Sequence, residues 1–181
     1  MCIRDRYYSF TKTLPDGVEA LFVVLDSPPF VKEYLDEKAD GHHVKGQNTA
    51  AQVRWCDSVL SVSRAKWKFA FFHHPAYSAS SKHGSTKEIQ ETLVPLFERY
   101  RVDACFSGHD HDLQHSHPAN STVEYFGVGG GSETRPAGNK DFTKFSQSSL
   151  GFGVIFLTQQ MMKFSFVSDK GEQIYTYEIK K

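Results

Sequence analysis

Three short apolar runs constrain this chain more than anything else in it: "ALFVVLD" (20–26), "WKFAFFH" (67–73) and "VDACFSG" (102–108). Nearly continuous apolar runs of this length suit strands covered on both faces, as in a parallel sheet with a layer on either side. The segments between them carry helical spacing. From about 49 to 64, Ala51, Trp55, Val59 and Val62 recur at helical intervals, and Thr49 with Gln52 has capping-box spacing. A second capping box, Ser85 with Glu88, opens a helix whose face carries Ile89, Leu93, Leu96, Phe97 and Tyr100 and which ends near 101. Pro95 lies inside that segment and predicts a kink or a restart there.

The ends of the chain read differently. "YYSFTKT" (7–13) is a strand joined by the turn "LPDG" to the first apolar run, and a polar loop occupies 27–46. After residue 120, "VEYFGVG", "GFGVIFLT", "MKFSFVS" and "QIYTYEI" follow one another as strands with no helix between, and "SDKGE" marks a hairpin. The pattern is strand-helix-strand-helix-strand followed by a β-meander, an α/β chain without repeat or linker that reads as one domain.

Composition excludes several classes. With 181 residues the chain can bury a core, and its formal net charge of zero argues against nucleic-acid or membrane-surface binding by bulk electrostatics. The longest apolar run, "ALFVVL", is far too short to span a bilayer, and "MCIRDR" is not followed by the apolar segment of a secretory signal. Cys2, Cys56 and Cys105 are odd in number and lack zinc-type spacing; Cys56 and Cys105 sit in apolar contexts that predict burial.

The histidines carry the chemistry. His73, His74, His83, His109, His111, His115 and His117 cluster in the middle of the chain. Two of the apolar strands run straight into histidine-bearing turns, "FAFFHHPAYS" and "ACFSGHDHDLQH". In open α/β sheets ligands bind beyond the carboxyl ends of the strands, where these turns fall. Gly108 is expected to let the chain turn there without a blocking side chain. His109 and His111, two apart in an extended segment, can address one pocket, and imidazole suits iron, zinc or manganese once carboxylates complete the shell. An isolated H-x-H on a loop is also a common solvated feature, and spacing alone leaves both readings open.

The segments "HHPAYSASSKHG", "LVPLFERYRVDACFSGHDHDLQH", "VEYFGVGGGS" and "GFGVIFLTQQMMKFSFVSDKGEQIYTYEI" together resemble the carboxyl-terminal half of the purple acid phosphatase (tartrate-resistant acid phosphatase-like) branch of the calcineurin-like metallophosphoesterases. The resemblance runs from about residue 7 to the end, and "GHDHDLQH" is its most specific part. It implies part of an α/β/β/α sandwich and a dinuclear centre of Fe(III) plus divalent Fe, Zn or Mn. It also implies that phosphomonoesters are hydrolysed by metal-bound hydroxide, with an acidic optimum. His73 and His109 resemble ligands of the divalent ion and His111 a ligand of the ferric ion. His83 in "SKHGS" is similar to an outer histidine that orients substrate or protonates the leaving group. The role of His74 stays open between an exposed contact beside the site and a surface residue. His115, His117, His42 and His43 are expected on the surface.

The departures matter as much. Nothing in residues 1–66 reads G-D-x-x-Y or G-N-H, the family segments that supply the bridging aspartate, a tyrosine and an asparagine. Asp26 ends an apolar strand but is expected outside the metal shell. The expectation is therefore residues 7–181 as part of a single domain, with 1–6 non-native and the amino-terminal half missing. Such a fragment would be inactive alone and would need that missing half as its partner; its exposed strand edges predict poor solubility. A secreted, periplasmic or lysosomal location follows from the same resemblance, and no nucleic-acid or membrane partner is expected. The alternative is a non-catalytic α/β module that keeps the histidine turns and binds at most one divalent ion. "GVGGGSE" (127–133) lacks the lysine of a phosphate-binding P-loop and reads as a tight loop near the histidines, while "NST" (120–122) is a glycosylation acceptor in a secretory host.

Overall fold

The computed structural model of the chain describes residues 6–36, 44 and 46–181. Its strands and α-helices are β1 (Tyr8–Thr13), β2 (Glu19–Val24), α1 (Thr49–Val62), β3 (Trp67–Phe71), α2 (Lys87–Thr92), α3 (Val94–Arg99), β4 (Ala104–Ser107), β5 (Leu113–Ser116), β6 (Glu124–Val128), β7 (Thr143–Gln147), β8 (Gly151–Leu157), β9 (Met161–Ser168) and β10 (Gln173–Lys180). A seven-stranded sheet runs β1-β2-β3-β4-β6-β5-β7 and a three-stranded sheet runs β10-β9-β8. Strands β2, β3, β4 and β6 are parallel neighbours, and β1, β5 and β7 add antiparallel edges.

The three apolar runs form the parallel centre because both of their faces are covered. Leu21, Val23, Ala70 and Cys105 point to one side, into a core shared with Cys56, Leu60, Ile89, Leu93 and Phe97 of the helices. Ala20, Trp67, Phe69, Ala104 and Phe106 point to the other, against Phe164, Phe166 and Met162 of the second sheet. The architecture is thus helix layer, large sheet, small sheet. Phe126 and Phe164 stack across the two sheets with ring centroids 4.0 Å apart, and burying each such ring contributes roughly 1.5–3 kcal/mol.

Several local expectations change. The capping residue of α1 is Asn48, whose Oδ1 accepts from the Ala51 amide at 2.9 Å, rather than Thr49. The helix buries Gln52, Cys56 and Leu60, while Val62 is 76% exposed. The expected stripe is off by about one position, because Trp55 and Val59 pack only along its margin. Ser85 does not cap a helix; Thr86 holds that position, and the Ser85 hydroxyl exchanges hydrogen bonds with the backbone of Ser78. Pro95 does divide the second helical segment, into α2 and α3. The meander holds for β8, β9 and β10, whereas "VEYFGVG" joins the large sheet parallel to β4. Two strands were not foreseen, β5 and β7, since "LQHS" and "TKFSQ" are polar enough to read as loop.

Cys56 and Cys105 are buried free thiols, as their contexts predict. His42, His43, Cys2 and all of "MCIRDR" except Arg6 lie outside the described residues. Among the described residues no helix is long and apolar enough to cross a membrane. The outer face of β8, the edge strand of the small sheet, carries Phe152, Val154 and Phe156 at 52%, 43% and 58% exposure.

Candidate functional site

Because β3 and β4 are parallel neighbours, the loops beyond their carboxyl ends emerge side by side. Backbone hydrogen bonds carry the pairing past the sheet: Phe72 donates to the Phe106 carbonyl at 3.1 Å and Gly108 to the His73 carbonyl at 3.0 Å. His73 and His74 on one loop thereby meet His109 on the other. A third loop, after β2, locks the first. The buried Ser27 hydroxyl accepts from the amides of His73 and His74 at 3.1 and 3.0 Å. With both lone pairs used, its own proton goes to His74 Nδ1, 2.9 Å away. His74 Nε2 then donates to the Tyr34 hydroxyl at 3.0 Å.

That arrangement corrects the expectation for His74, which is neither exposed nor a surface residue: it is 2% exposed and held between two hydroxyls. The role anticipated for Gly108 is also corrected. Its φ is not positive, and a Cβ there would meet only His73 Nδ1, at an ordinary 3.7 Å. The left-handed residue of the turn is His109 itself, with φ 69°. For a residue with a Cβ this conformation costs roughly 1–2 kcal/mol, which the surrounding hydrogen bonds must offset. Glycine is required at 129 instead, where a Cβ would fall 1.8 Å from the Asp110 carbonyl oxygen. The "GVGGGSE" loop therefore packs directly on the backbone of the H-x-H turn, and Gly129 donates to the Asp112 carbonyl at 3.0 Å.

The imidazoles converge. His73 Nε2 and His109 Nδ1 are 3.1 Å apart, and the His83 ring lies 4.2 Å, centroid to centroid, from that of His109. Burial, followed by the neighbouring His111 and His83, holds His73 below the usual histidine range. Burial, then His83 and His73, brings His109 down to about 4. Both rings are therefore neutral at neutral pH and carry the lone pairs a metal requires.

His111 stands at the rim. Its Nδ1 is 2.8 Å from Glu133 Oε1, yet it lacks the alignment of a hydrogen bond and has no hydrogen-bond partner. Glu133 Oε1 also accepts from Arg135 Nη2 at 2.9 Å, and Arg135 Nη1 lies 3.1 Å from His83 Nε2. A belt thus runs from His111 through Glu133 and Arg135 to His83. Behind the turn, Asp110 Oδ2 accepts from the Ser78 hydroxyl at 2.5 Å while Oδ1 is buried without a partner. Burial pushes Asp112 up to about 6, against the pull of its Gln114 hydrogen bonds.

His73, His74 and His109 offer ligand atoms that all lie within 4.8 Å of one another. Since both nitrogens of His74 face hydroxyls, His73 and His109 are the pair positioned for an ion. Two nitrogens about 2.1 Å from a tetrahedral ion stand roughly 3.4 Å apart, so the observed pair needs only a slight opening. These residues fit the imidazole part of a metal centre. Among the described residues no carboxylate joins that cluster. Asp26 is not in it; its backbone is tied by the Gln52 amide at 2.8 and 3.0 Å, which anchors the end of β2 to α1.

Two further histidines depart from expectation. His115 is fully buried on β5, between Tyr175 at 2.7 Å and Glu124 at 2.8 Å. His117 is bonded to the same Glu124 carboxylate at 2.9 Å rather than solvated. Burial alone would raise Glu124, but hydrogen bonds from His115 and Tyr177 hold it below the usual carboxylate range. Sequence reasoning also missed Ser27, Glu133 and Arg135. Each lies in a polar loop without periodicity, and only the register of the strands brings it to the histidines.

A family model described as calcineurin-like phosphoesterase matches residues 9–113. Purple acid phosphatase 17 of Arabidopsis thaliana is 40% identical over 123 residues, which cover 64% of this chain and 35% of that protein. Among solved structures, GAP50, titled the anchor in the inner membrane complex of Plasmodium, superimposes with a TM-score of 0.79 at 22% identity, covering 98% of this chain and 55% of its own. The purple acid phosphatase PPD1 of yellow lupin (Lupinus luteus) gives a TM-score of 0.72 at 17% identity, covering 96% of this chain and 32% of its own. These two likenesses concern the fold. The chain spans between 35% and 55% of the length of the Arabidopsis purple acid phosphatases it matches.

Proposed function

We propose, for a chain that belongs to the calcineurin-like phosphoesterase family and resembles its purple acid phosphatase branch, that it supplies the imidazole side of a phosphomonoester hydrolase. The observation that carries the reading is the approach of His73 Nε2 and His109 Nδ1 to 3.1 Å across the loops after β3 and β4. In this proposal His73 and His109 hold one divalent ion, and His111 contributes to a ferric neighbour. Carboxylate and other ligands come from a segment outside this chain. Imidazole donors are compatible with iron, zinc or manganese.

When bound, such a two-metal centre supplies charge neutralisation at the phosphoryl group and activation of water. The chain's own residues bind, orient and exclude. Ser27 fixes the His73–His74 turn, and the glycine loop at 129 closes against the H-x-H turn. His83, whose ring lies beside that of His109, is the proposed proton donor to the leaving group. An acidic optimum belongs to the same proposal, supported by the names of its relatives, and a secreted or lysosomal destination belongs to it through the family resemblance. Expression in a secretory host tests the destination: material retained in the cytosol would count against it.

The second reading is a non-catalytic module that binds at most one ion, favoured by the absence of a carboxylate from the imidazole cluster among the described residues. Hydrolysis of 4-nitrophenyl phosphate by the full-length protein separates the two. The enzyme reading expects turnover that His73→Ala, His109→Ala and His111→Ala each reduce at least roughly 100-fold, with loss of bound metal. Unchanged turnover in His111→Ala would overturn the ligand assignment. An inactive full-length protein that still binds one zinc ion would favour the module.

A further inference from the structure

We propose that Arg135 is a substrate-binding residue of this site, taking non-bridging oxygens of the phosphoester, and that Glu133 is the resident anion it releases to do so. The proposal rests on the phosphatase reading above and adds to it a residue that recognises the charge of the substrate.

Three observations carry it. The Arg135 guanidinium reaches the histidines from the rim, with Nη1 3.1 Å from His83 Nε2 and Nη2 2.9 Å from Glu133 Oε1. The same Glu133 oxygen lies 2.8 Å from His111 Nδ1. A carboxylate oxygen thus already occupies the space between the guanidinium and a histidine of the site, the space a phosphoryl oxygen would take. Finally, the base of the arginine is fixed while its anion is loose. The Arg135 amide donates to the His111 carbonyl at 2.8 Å, so its loop is pinned to the H-x-H turn. The side chain of Arg135 is 22% exposed and that of Glu133 is 59% exposed, so Glu133 can rotate into water at little cost.

Guanidinium is the group suited to this task. It stays charged at every relevant pH, and its planar fork matches two oxygens of a phosphate. The neighbouring cation Lys140 is committed elsewhere, donating to the Ser78 carbonyl at 3.1 Å. The fork takes two non-bridging oxygens of one phosphorus and its pull grows with their charge, so above the monoester's second pKa of about 6 a dianionic phosphomonoester is favoured over a singly charged diester.

One consequence follows for His83. Arginine only donates, so His83 Nε2 is the acceptor in this contact and the ring proton sits on Nδ1. Transfer of Arg135 to an incoming phosphate frees His83 Nε2 to take up a proton, which it needs before it can act as the proposed donor. Capture of the anion and release of the outer histidine are then one movement.

Binding of inorganic phosphate to the zinc-loaded full-length protein, followed by calorimetry, tests the proposal, with zinc content measured in parallel. Arg135→Ala is expected to weaken phosphate binding roughly 10- to 100-fold with zinc content unchanged, the range commanded by charge-assisted hydrogen bonds. Arg135→Lys should recover part of the loss, and Glu133→Gln should tighten binding several-fold by removing the competing charge. Phosphate affinity within twofold of wild type in Arg135→Ala would overturn the inference, as would a wild-type protein that binds no phosphate. If phosphate binding depends on Arg135 but 4-nitrophenyl phosphate is not hydrolysed, the phosphatase reading fails and Arg135 remains a phosphate-binding residue alone. If hydrolysis proceeds and phosphate binding ignores Arg135, only this inference fails. In an active enzyme, Arg135→Ala should raise KM for the monoester far more than it lowers kcat.

Discussion

Ser27→Ala removes one oxygen and should unlock the histidine turn. The hydroxyl accepts from two backbone amides, those of His73 and His74, and donates to His74 Nδ1, all between 2.9 and 3.1 Å and shielded from water. Each buried donor left without an acceptor costs about 1–3 kcal/mol. The three partners are neighbours, so their losses overlap rather than add, and a net destabilisation of about 3 kcal/mol is expected. For a chain of this size, roughly 2–4 °C of melting temperature is lost per kcal/mol, which gives a fall of about 6–12 °C. Urea unfolding is the direct assay, and the denaturant slope should not change, because the same surface is exposed on unfolding. Ser61→Ala is a fitting control: its hydroxyl only reaches the Ser58 carbonyl on an exposed helix turn, and such changes stay within about 0.5 kcal/mol. Zinc affinity should fall in Ser27→Ala as well, since the His73 ring is aimed by this turn. If Ser27→Ala unfolds within about 0.5 kcal/mol of wild type, the claim that Ser27 holds the site is wrong.

The two glycines beside the site should respond in opposite ways: Gly108→Ala meets only an ordinary contact with His73 and is expected to fold normally, whereas Gly129→Ala drives a methyl into the Asp110 carbonyl and should destabilise the protein and lower zinc affinity, as thermal melts with metal titration will tell. Glu124, held below its ordinary value by His115, His117 and Tyr177, contributes stability that is present above the unfolded carboxylate pKa and is lost as pH falls through the folded one. Glu124→Gln should therefore lower stability at pH 7 and flatten the acid limb of a pH–stability curve; an acid limb identical to wild type would remove Glu124 from that account. Replacing Phe152 and Phe156 on the outer face of β8 with lysine should raise the solubility of the isolated chain in sedimentation assays while changing its unfolding midpoint little, because both rings are already more than half exposed.

How much of this was legible beforehand depends on whether the signal was local. The runs 20–26, 67–73 and 102–108 announced a parallel centre because a strand covered on both faces must be apolar throughout. Pro95 announced the break between α2 and α3 because it removes a helical donor wherever it stands. The G-H-x-H turn, with its resemblance to one phosphatase branch, pointed to His73, His83, His109 and His111, and the fold brings the first three into one ring cluster with His111 at its rim. The helical stripe at Ala51, Trp55, Val59 and Val62 was misjudged because which face of a helix is buried depends on the docking angle of its sheet.

What the sequence by itself determined is the set of residue types, the three buried strands 20–26, 67–73 and 102–108 and the helices between them, since burial on two faces and turn chemistry are properties of short segments. Tertiary structure alone decided partnership. His115 is polar and lies in a polar segment, yet it is fully buried because β5 pairs between β6 and β7 and faces Tyr175 and Glu124. Ser27 reaches His74 across 47 positions, and Arg135 reaches His83 across 52. No periodicity connects residues so far apart; the parallel register of β2, β3, β4 and β6 does, by delivering their loops to the same end of the sheet.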